Sequence, residues 1–572
     1  MSRTIYALLV GLVPTVLPLA CGSLNKGEVV IVDEAAGAVN LGGSTSGNAG
    51  KGGSTAGGRG GGGTGGGTSG DAGEAGVGTS GKGGSTGQGG TSSKGGTTGK
   101  GGSSTSGDAG SGGGGGEPPS GCTDISDCVA SAPICEDGTC RSCEAPVGSA
   151  TDECAELTAT PHCDDRGRCV ECLADDDCSG GSRPVCDGGA CRACEQNAEC
   201  ASGYCKGGRC ADSTSIVYAL AQTGSTDPMS CGTQDRPCRY VATAATLLSA
   251  SRPVLVLVKT TQAFSYEQLV LPALPGSPDL AVVGNHVTIQ NWDEPAITIS
   301  GGNVTLDDVV ADVSPSSTSV PGFSAINCTG ARLTMTNGSV SNASSDYASR
   351  GIRLVDCTAD IEGVTFTGSA DTTMSSGYTA VTSDSTAMPP NQTLTVQRCL
   401  FEKNYQVIYV NADHFVIRNN LFVSNGLYAY TTMFHLEAQT DSIFGFNTLY
   451  GNDNDCNPER GLITCGTNCG THTSNLSWGN LFSNGGCPEL LYSYGGPTVT
   501  YTLAETTWPG FNNISGEDPL FTAPMTGDFT PGPGSPAINA GNSDATLMPD
   551  VDYFGNPRPV GSRPDIGAIE AQ

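Results

Sequence analysis

Short apolar runs bracketed by asparagine recur along the C-terminal half of the chain. "RNNLFVSN" at 418–425 returns as "FGFNTLYGN" at 444–452 and as "SWGNLFSNG" at 477–485. The spacing is about 27 and then about 33 residues, a period that signals stacked units. Between about 279 and 490, stretches such as "AVVGNHVTIQN", "AINCTGARLTMTNGSV" and "IRLVDCTADIEGVTFTG" alternate β-branched and polar residues and end in Gly, Asn or Asp. Each is too short to form an independent sheet, so the pattern predicts the coils of a right-handed parallel β-helix, an all-β solenoid. One amphipathic helix is predicted, in "YVATAATLLSA", after the strand "SIVYALAQTGST" and before "RPVLVLVKT". A helix there would cap the N-terminal coil, whose core and strand edge are otherwise open.

Coils stack about 4.8 Å apart, so equivalent residues lie over one another. An asparagine at a turn can then bond both to backbone and to the asparagine of the next coil. Asn420, Asn447 and Asn480 are assigned to such a ladder. Aligning "INCTGARLTM" with "VDCTADIEGVTF" places Cys328 over Cys357, close enough for a coil-to-coil disulfide. Cys231 and Cys238 are expected to pair across a loop, and Cys399 to be a buried thiol opposite Val364. Cys456, Cys465, Cys469 and Cys487 are left for two further bridges.

Composition divides the rest of the chain. Of 572 residues, 85 are Gly and 26 are Cys, and that many thiols point to an oxidising, exported location. The formal charge of −30 argues against a nucleic-acid partner, which would require basic patches. Residues 1–21 carry one Arg, an apolar run too short to span a bilayer, and Cys21, as in a signal peptide. Residues 22–121 form a Gly/Ser/Thr-rich stalk that cannot bury enough surface to fold, and its repetitive segment has an average end-to-end distance of roughly 50 Å.

Residues 122–212 hold cysteine blocks such as "CTDISDCVASAPICEDGTC", with four Cys each and few apolar residues. Disulfides must replace a core there, in any of three pairings per block. The CxxC pairs at block junctions also match zinc or redox sites, and Asp175-Asp176-Asp177 is a conceivable calcium loop. Oxidation in an exported chain favours structural disulfides, with no cofactor or metal. The β-helix with its cap is assigned to 213–517 and a C-terminal segment to 518–572.

Several stretches carry family resemblances. Ala20-Cys21 resembles a bacterial lipoprotein signal, which implies acylation of Cys21 and attachment to the outer membrane or cell surface through that lipid alone; ordinary cleavage near Ala20 is the alternative. The cysteine blocks behind a glycine-rich stalk resemble those of myxobacterial surface lipoproteins. "EDPLF", "GDFTPGPGSPAINAGN", "DVDYFGNPRP" and "PDIGAIEAQ" resemble the choice-of-anchor Q segment of bacterial β-helix surface proteins, with Asn539 where that family more often has Asp. The resemblance implies that 518–572 closes the C-terminal end of the helix, with Asp550, Asp552, Arg558, Asp565 and Glu570 in structural ion pairs.

Sugar-cleaving β-helix enzymes carry paired Asp and Gly-His-Gly motifs, or a calcium-binding Asp cluster with a basic residue, and none of these is evident here. "TMFHLEAQ" is the best local candidate for catalysis. His435 and Glu437 point outward when Phe434 and Leu436 point inward, a pair suited to acid–base chemistry or simply to a solvated strand. Arg353 and Tyr409 are expected to share or border that face, while His286 and His414 are placed at turns. The sequence therefore points first to a displayed module that binds glycan or extracellular matrix. A polysaccharide lyase or hydrolase on the same face is the alternative, and a scaffold without ligand the third reading.

Overall fold

The computed structural model describes the chain from residue 121 onward, except 145–151, 179–181, 277, 293, 314–323, 343–348, 369–377, 388–389, 427–431, 455–461, 467, 483–489 and 493–496. Cys21, the stalk up to residue 120, Cys456 and Cys487 lie outside the described residues.

Three parallel sheets wind into a right-handed β-helix. The first sheet runs from Ile216–Ala219 to Thr498–Thr500 and the second from Phe264–Ser265 to Ile514–Ser515, each with 11 strands; the third runs from Leu269–Leu271 to Leu490–Tyr492 with 9. Neighbouring strands belong to successive coils, as in the register Leu306, Met335, Ile361, Val396, Ile417, Phe444. Alternation along each strand sends these residues inward, where stacks such as Val340, Phe366, Phe401 and Phe422 fill the core. The Phe366 and Phe401 rings lie 4.5 Å apart and nearly parallel. The helix Val241–Thr246 buries Val241, Ala244 and Ala245 against the first coil, and Glu267 accepts from the Val241 amide at 2.6 Å.

The corner between the first and second sheets is a column of left-handed residues, among them Asn337, Gly363, Arg398, Asn419, Phe446 and Ser474. Only Gly takes that conformation freely, so stacking must hold the others. The asparagine ladder beside them does so. Asn420 Nδ2 donates to Asn447 Oδ1 at 3.0 Å, and Asn447 Nδ2 to Asn475 Oδ1 at 3.2 Å. Asn480 is not in this ladder, contrary to expectation. It ends a second one, Asn404–Asn425–Asn452–Asn480, at the next corner. The third copy of the repeat is therefore "SNLSWGN" at 474–480. Matching "GNLF" to "NNLF" slid it from one asparagine column to the other.

Cys399 occupies the ladder position before Asn420. Its amide donates to Asn420 Oδ1 at 2.9 Å, while its sulfur accepts from the Val364 amide at 3.4 Å. It remains a buried thiol. Cys399→Asn would add a rung, its amide reaching Asn420 Oδ1 and its oxygen the Val364 N–H. The expected result is a rise of a few degrees in Tm for about 1 kcal/mol gained, measured by thermal unfolding; an unchanged or lower Tm would show that the site cannot seat the amide.

The disulfides organise the N-terminal region. In every block the first cysteine bonds the third and the second bonds the fourth, as in Cys122–Cys135 with Cys128–Cys140 and Cys194–Cys205 with Cys200–Cys210. The third and fourth lie opposite each other on a hairpin. Each junction CxxC thus joins two blocks, its two cysteines bonded to different partners. Arg141 and Arg192 tie neighbouring blocks by reaching Glu153 at 2.8 Å and Glu199 at 2.7 Å. The last block docks on the first sheet: Tyr204 packs among Tyr218, Val256 and Val283, and Asn197 donates to Asp307 at 2.6 Å.

In the coils, Cys231 bonds Cys238, and Cys465 bonds Cys469. Cys328 bonds Cys357, but the register puts Cys328 over Leu354. The bridge therefore crosses diagonally to the corner, where Cys357 follows Asp356. The disulfide content suits an oxidising, exported compartment, and among the described residues no helix is long and apolar enough to cross a membrane.

The segment 518–572 lies along the outer face of the second sheet instead of closing the end of the helix. Outward residues Leu421, Val423, Tyr450, Leu476 and Leu503 meet Phe529, Ala537, Ile566, Ala568 and Ile569. Those coils turn an apolar stripe outward, and burying it outweighs capping. The Gly567 amide donates to Ser474 O at 2.8 Å, and a Cβ on Gly567 would sit 2.9 Å from Thr448 Oγ1. Within this segment Arg558 and Glu570 form a buried ion pair at 3.1 Å. Asp552 accepts from the Phe554, Asn556 and Glu570 amides, and Asp565 from Asn539 and Ala571. The Asp550 carbonyl accepts from the Arg558 amide.

Candidate functional site

The outward face of the third sheet gathers the polar chemistry. Strands there such as Arg350–Val355 and Gln406–Ala412 carry two consecutive buried residues, for example Val407-Ile408, and then turn the next one out. Register aligns these outward residues into one column: Asn327, Arg353, Thr382, Tyr409, His435 and Thr464. A second column beside it carries Val355, Asp384, Asn411 and Glu437. Arg353, Tyr409, His435 and Glu437 thus share one face. Asp384 had no motif to reveal it; only the stacking places "VTSDS" in the same column as "FHLEAQ".

Tyr409 and His435 stack with ring centroids 4.6 Å apart. His435 Nε2 lies 3.9 Å from Glu437 Oε2, with side chains 23% and 29% exposed. Burial pulls the imidazole below its ordinary pKa and the Glu437 charge opposes the shift, which favours a neutral ring at neutral pH. Burial raises the Tyr409 hydroxyl, helped by Asp384 and Glu437. The phenol therefore stays protonated as a donor near two carboxylates.

Several polar atoms on this face are buried without a hydrogen-bond partner: Asn327 Oδ1, Arg353 Nε, Thr382 Oγ1 and Thr464 Oγ1. Buried polar groups are nearly always paired, so a row of them along one column is unusual.

Other candidates are placed elsewhere. His414 begins the strand His414–Arg418 rather than a turn. His286 is at a left-handed corner 3.2 Å from Asp308. His472 lies in the core against Phe444, where burial lowers its pKa to about 4. In Asp175-Asp176-Asp177, Asp177 accepts from the Leu173 and Ala174 amides and Asp175 from that of Cys186. Two of the three carboxylates thereby hold the block's own turn.

Residues 109–216 match a family of unknown function, DUF8331, which takes in the cysteine blocks and leaves the coils outside. Among curated proteins none matches the chain. Among solved structures it is similar to the crystal structure of pectate lyase Pel9A, at 10% identity over 62% of this chain and 96% of that one, with a TM-score of 0.33. The likeness concerns the fold, and no residue role is carried over from it.

Proposed function

We propose that this protein is an exported surface module that binds a polysaccharide along the outward face of its third sheet. The outward column from Asn327 to Thr464 carries the reading, because it lines up amide, guanidinium, hydroxyl and ring groups of the kind that hold hydroxyl-rich ligands. The Tyr409–His435 stack offers a flat apolar surface for a sugar ring. Part of the first sheet and the later coils of the second are covered by segments of the same chain. Coil spacing of about 4.8 Å matches the length of a pyranose unit, so a glycan lying along the axis would meet about one coil per sugar. In this reading Cys21 is the lipid attachment, the Gly/Ser/Thr stalk and cysteine blocks hold the coils away from the membrane, and 518–572 is a choice-of-anchor-Q-like segment laid along the second sheet. Adhesion to glycans or matrix is the corresponding role.

A second reading, polysaccharide cleavage, is favoured by one observation: Asp384 and Glu437 sit two coils apart in one column around Tyr409. That is roughly 9–10 Å along the axis at the usual strand spacing, near the upper limit for a carboxylate pair that inverts a glycosidic bond. Incubating the full chain with a panel of polysaccharides separates the readings. Retention without new reducing ends or unsaturated products is the expected result. Products lost in Glu437→Gln would replace binding with catalysis, and absence of both retention and products would leave a scaffold.

A further inference from the structure

Within this face the strand Arg350–Val355 contributes two arginines, and both are half-buried. Gly351 lies between them, where a Cβ would come within 2.5 Å of the Ala380 carbonyl and the Tyr378 hydroxyl. Gly351 and Ile352 are buried, while residues 350 and 353 on either side are partly exposed.

The chain is strongly acidic, and many other arginines are paired: Arg332 with Asp360, Arg398 with Glu362, Arg558 with Glu570. Arg350 and Arg353 have no such partner among the described residues. Arg353 Nε is buried without an acceptor, and the neighbouring coils place Asn327 and Thr382 on either side of it, each with its own unpartnered oxygen. Thr382 is only 4% exposed. Asp384 acts on Arg350 from the next coil without forming an ion pair, while burial and the Arg353 charge lower the Arg350 pKa. Two like charges held together and partly desolvated are unfavourable, and an anion between them would relieve both costs.

Resting on the glycan-binding reading above, we infer that Arg350 and Arg353 form a subsite for an anionic substituent, a carboxylate or a sulfate ester, on the bound polysaccharide. A planar guanidinium grips two oxygens of such a group at once. Tyr409, two coils along in the same column, would take the ring of a nearby sugar. Because the protein is acidic overall, a polyanion gains no general attraction. Any preference for one must come from a local site.

The test compares full-length protein binding to polygalacturonate, dextran sulfate and neutral dextran at one ionic strength. The expected result is at least tenfold tighter binding of one acidic polymer than of dextran, and which one identifies the substituent. Arg353→Gln should remove that preference, with Arg350→Gln close behind, so that each variant binds the acidic polymer no more tightly than it binds dextran. Arg353→Lys keeps the charge but loses the fork, and should recover only part of the loss. Circular dichroism would verify that each variant keeps its coils. Equal binding of neutral and acidic polymers, or an Arg353→Gln variant with its preference intact, overturns the anion subsite and leaves glycan binding standing. Binding of no polymer overturns both.

Discussion

Asn447→Ala is expected to destabilise the coils by roughly 3–5 kcal/mol, since each buried polar group left unpaired costs about 1–3 kcal/mol. Asn447 Oδ1 accepts both the Asn420 amide and Asn420 Nδ2 at 3.0 Å, and Asn447 Nδ2 donates to Ile417 O at 2.9 Å and to Asn475 Oδ1 at 3.2 Å. Alanine strands the Asn420 amide and weakens the bonding of the others in a site closed to water; Asn420 Nδ2 keeps Val396 O and Asn475 Oδ1 keeps the residue-447 amide, which holds the cost below the simple total. The neighbouring turn amplifies the effect, because Phe446 is held at φ 55° by the same stack. Denaturant unfolding followed by circular dichroism measures the loss. Asn303→Ala, at an exposed position on the first sheet, is the control and should shift stability by no more than about 0.5 kcal/mol. Similar behaviour of the two variants would mean that the ladder is incidental to the fold.

Glu570→Ala should cost a comparable amount, about 3–5 kcal/mol, because it strands a buried charge. The Arg558 and Glu570 side chains are 0% and 1% exposed, and the guanidinium lies 4.9 Å over the Phe446 ring. Glu570 also accepts the Val560 and Asp565 amides, so the carboxylate joins three parts of the C-terminal segment. Its loss should loosen 518–572 before the coils melt, exposing the stripe from Leu421 to Leu503 to proteases. Limited proteolysis reads this as early cleavage within that segment. The double change Arg558→Met/Glu570→Met removes both charges and should recover part of the stability. A double variant worse than Glu570→Ala would show that the pair contributes more than it costs.

Much of the fold was legible because a β-helix writes its period into the chain. The inward alternation in "ARLTM" and "DIEGV" and the recurring Asn-Leu turns fixed the class. The exact register was less legible. "RNNLFVSN" contains two asparagines, each the start of its own column, so one repeat alone cannot say which stacks on which. Cys328 and Cys357 suggested a bridge from proximity in sequence pattern, yet the diagonal path depends on a corner that the alignment had straightened. His435 and Glu437 were readable as outward by simple alternation. Asp384, Thr382 and Arg350 were not, since only coil-on-coil stacking brings residues this far apart in sequence onto one face. The outward apolar stripe of the second sheet lies in "NNLFV" and "NTLYG", where Leu421, Val423 and Tyr450 flank the inward Phe422 and Leu449, but alternation alone names no partner for it.

The most direct test of the glycan-binding face is hydroxyl-radical footprinting of the full chain with and without the polysaccharide it retains. The account predicts reduced oxidation at Tyr409 and His435, with Met229 and Met525, exposed elsewhere on the molecule, unchanged. Protection at Met525 or Met229 while Tyr409 and His435 stay fully reactive would contradict it and move the binding surface off the third sheet.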